Sequence, residues 1–337
     1  MKHTLSMLNM VIVLTISVMV ASCGPTYQKN QGEVFGTFYS IQYQCDQDLH
    51  PMIRESLEAF DNSLSAFNPN SIIAKINRNE EVETDEYFET MYAEAMQISE
   101  LSQGAFDITV GPLVNLWGFG FQNKQEVTQD KIDSLLVLAN YLGITLEDHH
   151  IYKRDPRIML DAAALAKGYA CDIIAAKLEE EGIHNYLVDI GGEVVAKGVN
   201  AKGEKWHIAI TKPIDDPTGQ VQETQDVLEV DHICMATSGN YRNYYVENGE
   251  KRSHTIDPRT GYPVHHNLLS ATVIASSCMR ADALATTCMV MGEDQAQELI
   301  NSIDDAACYL LVADNNNLKV IKSDKWLEIF GDDMVQE

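Results

Sequence analysis

Asp282 and Thr286 stand four residues apart in the run from Ser276 to Thr287. On a helix, residues at this spacing share one face. A carboxylate and a hydroxyl are hard oxygen donors, which suit Mg²⁺ better than zinc or copper. Small hydroxyl residues precede the run and read as a helix start. The free N–H groups of a helix start attract anions, so a cation held there would make a phosphate site. The same residues also fit an ordinary helix, with Asp282 stabilising the first turn and Thr286 on the surface or in the core.

Further clusters carry residues of chemical interest. In Gly104–Pro112, Phe106 and Asp107 lie between a helix and a Gly-Pro turn. Phe106 could pack on a planar ring and Asp107 could accept hydrogen bonds from it. Equally, the segment could be a turn that anchors its own backbone. In Asp161-Ala162-Ala163-Ala164-Leu165-Ala166-Lys167, Asp161 reads as a helix N-cap, with Lys167 almost two turns in. The alanines allow close approach of a ligand, and Lys167 could meet a phosphate as a point charge. A capped helix with a solvated lysine is the alternative. Gly191-Gly192, within Val188–Glu193, reads as a hairpin turn and permits tight backbone approach. No P-loop and no G-x-G-x-x-G after a strand is present. Thr237-Ser238-Gly239 and Ser253–Pro263 complete the set. His254, in a loop near Asp257, could take a proton near neutral pH. His265-His266 have no third metal ligand at useful spacing.

These clusters need elements to position them. Alternation of β-branched and aromatic residues predicts strands over 33–43, 185–190, 193–198, 206–211, 227–235, 269–275 and 308–313. Helical spacing predicts helices over 51–64, 84–102, 128–142, 161–181, 282–291 and 294–303. Helices and strands mix without regular βα alternation, which favours α+β over a doubly wound parallel sheet. Residues 215–225 read as a surface excursion.

The N-terminus reads as a processing signal. Lys2 precedes an apolar run over 10–20 that is too short to span a membrane comfortably. Val20-Ala21-Ser22-Cys23 resembles a bacterial lipobox, with Cys23 as the lipidated residue. The expected organisation is a signal peptide over 1–22, the lipidated cysteine and a polar tether over 23–32, and one domain over 33–337. Two acyl chains would give stable anchoring on the extracytoplasmic side of a membrane. The net charge of −26 over 337 residues argues against nucleic acid as a partner, because no basic stripe exists to neutralise phosphates. An anionic ligand would need a local cation. The six other cysteines form no C-x-x-C pair, and most read as small buried hydrophobes, with a disulfide in an oxidising compartment as the alternative.

Together, and in this order, the clusters resemble the ApbE family of FAD:protein FMN transferases. The landmarks are Phe35-Gly36-Thr37, Leu64-Ser65-Ala66-Phe67, Gly104–Pro112, Asp161–Tyr169, Val188–Glu193, Thr237-Ser238-Gly239, His254–Pro263 and Ala281–Thr286. The resemblance implies a single ApbE-like α+β domain, with a mixed, largely antiparallel sheet and packed helices. It implies Mg²⁺-dependent transfer of the FMN half of FAD to a threonine, sometimes serine, hydroxyl, with AMP leaving. The implied partners are acceptor flavoproteins of membrane redox complexes, with the membrane engaged through the lipid. The implied metal ligands are the Asp282 carboxylate, the Thr286 hydroxyl and the Ala164 carbonyl. The implied FAD contacts are Phe35, Phe67, Ala105, Phe106, Asp107, Asp161, Lys167 and Ile256, and His254 is the expected general base, with Asp257 or a metal-held arrangement without a protein base as the alternatives. Phe67 stands where the family more often carries tyrosine, so it keeps a stacking surface and loses a hydroxyl. Phe35 replaces a frequent methionine. The rival expectations are an Mg²⁺-dependent FAD pyrophosphatase and a flavin-binding lipoprotein without chemistry.

Overall fold

The computed structural model describes residues 25–121, 125–214, 223–241, 244–247, 250–315 and 317–332. The expected signal peptide and Cys23 lie outside the described residues, as does most of the 215–225 excursion. In chain order the elements begin with β1 (Tyr27–Val34), β2 (Thr37–Gln44), α1 (His50–Leu64), α2 (Ile72–Asn77), α3 (Glu86–Leu101), α4 (Gly111–Trp117) and α5 (Gln129–Leu136). There follow β3 (Ile144–Glu147), β4 (His150–Lys153), α6 (Ala166–Glu180), β5 (Tyr186–Ile190), β6 (Glu193–Lys197), β7 (Trp206–Thr211), β8 (Thr224–Val230) and β9 (His232–Gly239). The chain closes with β10 (Tyr244–Glu247), β11 (Glu250–Ser253), β12 (Leu268–Ile274), α7 (Cys278–Met291), α8 (Glu293–Asn301), β13 (Ala307–Asp314), β14 (Asn317–Lys322) and α9 (Asp324–Phe330).

Eight strands form one sheet in the order β1-β2-β5-β6-β9-β12-β13-β14. Every neighbouring pair is antiparallel. The fold is therefore α+β, as expected. Successive side chains of a strand point to opposite faces, and here both faces of the central strands are buried. Cys308, Leu310 and Val312 of β13 face the larger core, with Phe60, Ile174 and Leu284 of the helices. Ala307, Tyr309 and Leu311 face a second core, with Trp206 and Ile208 of β7 and Trp326 of α9. Central strands buried on both sides explain the near-continuous apolar runs in the sequence.

Several expected elements differ. Residues 27–32, read as tether, form most of β1 and pair with β2, Tyr27 opposite Gln44. The helix expected over 128–142 ends at Leu136. The helix expected over 161–181 begins at Ala166, with Leu165 at its N-cap and Asp161 outside it. Lys167 is thus the second helical residue rather than almost two turns in. The strand expected over 227–235 is two strands broken at Asp231. The Gly191-Gly192 turn stands as expected. Both glycines have positive φ, and Asp189 Oδ1 accepts the Gly192 N–H at 3.0 Å.

Candidate active site

The site is built where α6 and α7 touch. Gly168 makes that approach possible, because a Cβ there would lie 2.2 Å from the Cys278 carbonyl oxygen. The Gly168 backbone N–H donates to Asp282 Oδ2 at 3.0 Å. The Lys167 Nζ lies 3.9 Å from the same oxygen and 2.6 Å from Glu193 Oε1. Asp282 and Glu193 are almost wholly buried, and Lys167 is partly exposed. Among the described residues, Glu193 Oε2 has no hydrogen-bond partner.

Two almost wholly buried carboxyls therefore share one ammonium. Burial pushes both carboxyls above their ordinary range, with Lys167 pulling them partly back. Burial works against the Lys167 charge, but Asp282 and Glu193 outweigh it and hold its pKa above the usual lysine value. A further cation beside these two carboxyls would favour their ionised form.

This cluster forms the floor of a cleft of about 440 Å³. Ala105, Phe106, Asp107, Asp161, Ala164, Lys167, His254, Ile256, Asp282 and Thr286 all line it. A second cavity, about 550 Å³, is lined by Phe35, Phe67, Asp161 and Lys167, among others. The two share Asp161, Ala163 and Lys167. Every expected site residue within the described chain thus faces one of two adjoining cavities, although they come from segments spread over 250 residues of sequence. Phe67 is 72 % exposed and meets Phe121 edge-on, leaving ring surface open.

Some individual roles sharpen. The Asp107 carboxylate is fully engaged. Oδ1 accepts from the Thr109 N–H at 2.7 Å and its hydroxyl at 2.6 Å, and Oδ2 from the Tyr141 N–H at 2.8 Å. It anchors its own turn while standing in the cleft wall. Asp161 Oδ1 accepts the Ala163 N–H at 2.9 Å, which holds the pre-helix segment as a turn. The His254 ring lies edge-on to Phe119, with centroids 6.3 Å apart. Asp257 is gripped by Arg259, at 2.9 Å from Nε and 3.0 Å from Nη2, and is absent from the cleft wall. Of these two groups, only His254 faces the cleft.

The expectation of an open, anion-favouring helix end does not survive. The α7 helix starts at Cys278, so Asp282 sits in its second turn. The first N–H groups are already taken. Cys278 and Met279 donate to Asp172 at 2.9 and 2.8 Å, and Arg280 donates to Ser277 Oγ at 3.1 Å. The anion at this helix end is a side chain of the protein itself.

Among the described residues, no group of three His, Cys, Asp or Glu side chains is placed to hold a metal. The expected donors are a carboxylate, a hydroxyl and a carbonyl. Thr286 Oγ1 lies 3.2 Å from Ser238 Oγ, so hydroxyl oxygens cluster beside Asp282. An all-oxygen donor set fits Mg²⁺. Sequence reading left Glu193 and Phe119 without a role in the site. For Glu193 a signal existed: a carboxylate directly precedes the apolar run Val194-Val195-Ala196, and in the structure it is 2 % exposed.

The ApbE family model matches residues 35–310. A Haemophilus influenzae protein named FAD:protein FMN transferase is 35 % identical over 326 residues, covering 91 % of this chain and 93 % of that protein. A Vibrio cholerae protein of the same name is 36 % identical over 302 residues, covering 86 % and 89 %. The solved flavin transferase ApbE from Vibrio cholerae superposes with a TM-score of 0.80 at 33 % identity, covering 90 % of this chain and 99 % of that one. The apo flavinyl transferase ApbE from Pseudomonas stutzeri gives 0.82 at 29 % identity, covering 92 % and 98 %. With the family's landmarks gathered around two adjoining cavities and its fold reproduced over 90 % of the chain, the chain belongs to the ApbE family.

Proposed function

We propose that this protein is an FAD:protein FMN transferase that moves the FMN half of FAD onto a threonine or serine hydroxyl of an acceptor flavoprotein, releasing AMP. The observation that carries this reading is that two adjoining cavities share Asp161, Ala163 and Lys167 in their walls. A dinucleotide has two planar heads and an anionic middle. Here two cavities of ligand size are both lined by Lys167, and Asp282 and Thr286 stand in the wall of one of them. In an acidic protein, Lys167 together with a cation held by Asp282 and Thr286 would supply the positive charge a pyrophosphate needs.

Lys167 would neutralise a phosphate oxygen, and Glu193 holds it in place at 2.6 Å. Asp282, Thr286 and the Ala164 carbonyl would hold Mg²⁺, which when bound takes up charge from the phosphate oxygens and fixes their geometry. His254 would accept the proton of the acceptor hydroxyl as it attacks the FMN-side phosphorus, with AMP leaving. Phe119 limits the freedom of the imidazole by packing against it. Removing a general base typically costs about 10²–10⁴-fold. His254→Ala should therefore slow transfer by that order, measured with FAD, Mg²⁺ and acceptor; an undiminished rate would exclude this role. Lipid on Cys23 would keep the enzyme beside the acceptor flavoproteins of membrane redox complexes, on the extracytoplasmic side.

Product analysis tests the whole reading. FAD and Mg²⁺ are incubated with and without an acceptor domain, and the products are separated under denaturing conditions. Transfer leaves fluorescent flavin on the denatured acceptor. Free FMN and AMP, with no flavin on the acceptor, would show a pyrophosphatase instead. FAD bound and recovered intact would show a carrier.

A further inference from the structure

Asp172 belongs to no cavity of the site, yet it touches the element that carries Asp282. It lies on α6, one turn beyond Gly168, and its carboxylate receives the first two N–H groups of α7. It completes the cap of α7 from a different helix, because a serine N-cap satisfies only one of the four free N–H groups of a helix start. Ser277 caps α7 through the Arg280 N–H, as a serine N-cap ordinarily does. Burying a second acceptor at the same helix end is costly, and burial pushes the Asp172 carboxyl up to about 6 even with two N–H donors pulling it down. A group held against that cost has a further consequence, which is the relative position of α6 and α7.

The two helices are clasped twice, in opposite directions. Asp172 of α6 holds the backbone of α7 at Cys278 and Met279. Asp282 of α7 holds the backbone of α6 at Gly168. Between the clasps Gly168 lets the helices touch, at the carbonyl of the same Cys278. Loosening the first clasp frees α7 to slide or tilt on α6, and the second clasp and the Asp282 carboxylate move with it.

We infer that Asp172 is a positioning residue that sets where the Asp282 carboxylate stands relative to Ala164 and Lys167. The inference rests on the reading of Asp282 as a metal ligand. Residues that orient metal ligands typically change metal affinity about 10–100-fold when replaced.

The test titrates Mn²⁺, as a paramagnetic stand-in for Mg²⁺, into protein with FAD and no acceptor, and reads bound metal by electron paramagnetic resonance. Asp172→Asn is expected to weaken Mn²⁺ binding about 10–100-fold, with FAD affinity, read by flavin fluorescence quenching, changed less than Mn²⁺ affinity. Ser277→Ala is the control for a purely structural role. It removes the other cap of the same helix, and is expected to lower the melting temperature while leaving Mn²⁺ affinity close to wild type. Asp172→Glu, which keeps both acceptor oxygens on a longer arm, is expected to fall between wild type and Asn. It carries the same comparison if the Asn variant does not fold. Wild-type Mn²⁺ affinity in the Asp172 variants, alongside its loss in Asp282→Ala, overturns the positioning role and leaves the metal reading standing. Equal weakening in Ser277→Ala also overturns it, because any loosening of the helix end would then suffice. Wild-type Mn²⁺ affinity in Asp282→Ala overturns both.

Discussion

Asp282→Ala is expected to abolish flavin transfer while the protein still folds. The side chain is buried and accepts a hydrogen bond from the Gly168 N–H. Its loss leaves that donor unsatisfied, at a cost of about 1–3 kcal/mol. Against this, Glu193 loses a like-charged neighbour and keeps Lys167 at 2.6 Å. The net change in stability is therefore small for a domain of this size. The functional loss is not, because Asp282 is the only carboxylate in the proposed metal set. The measurement is flavin fluorescence on denatured acceptor, with circular dichroism to follow folding. Transfer above a few per cent of the wild-type rate would return Asp282 to a structural role.

Gly168→Ala is expected to damage fold and function together. Alanine is intrinsically the better helix former by about 1 kcal/mol. Here its methyl would stand 2.2 Å from the Cys278 oxygen, 2.6 Å from the Cys278 carbonyl carbon and 2.8 Å from Asp282 Cβ. Two of those three atoms are backbone and cannot rotate away. The helices must separate, and overpacking of this kind costs about 1–3 kcal/mol or more. The same separation breaks the Gly168–Asp282 bond. A clear fall in denaturation midpoint, with loss of transfer in the protein that remains folded, is the expected pair of results. An unchanged midpoint would show that α6 and α7 have slack at this contact.

Local pattern carried much of the architecture, and the exceptions have physical causes. The Gly191-Gly192 hairpin was legible because the turn demands what glycine supplies. The α4 helix was not, because Gly111-Pro112 reads as a turn, although proline also suits the first turn of a helix. Alanine content extended α6 back to Asp161, whereas Asp161 donates its N–H to the Ile108 carbonyl and stays outside the helix. Tertiary pairing overrode propensity there. The site residues were legible through the resemblance, one by one. Their connections were not. Asp172 meets Cys278 across 106 residues and Gly168 meets Asp282 across 114. No local spacing encodes pairs so far apart.

The strand order of the main sheet follows the chain without a single reversal. Each new strand is laid against the one before it, so a chain appearing from its N-terminus never has to insert a late strand between two early ones. The growing sheet always presents one fresh edge. The site residues lie in the excursions between these strands or at their ends, and the last of them, Asp282 and Thr286, follow β12. A partly emerged chain can hold most of the sheet and still lack the groups proposed to do chemistry. Competence to act on FAD thus arrives late in synthesis, after the scaffold is nearly closed.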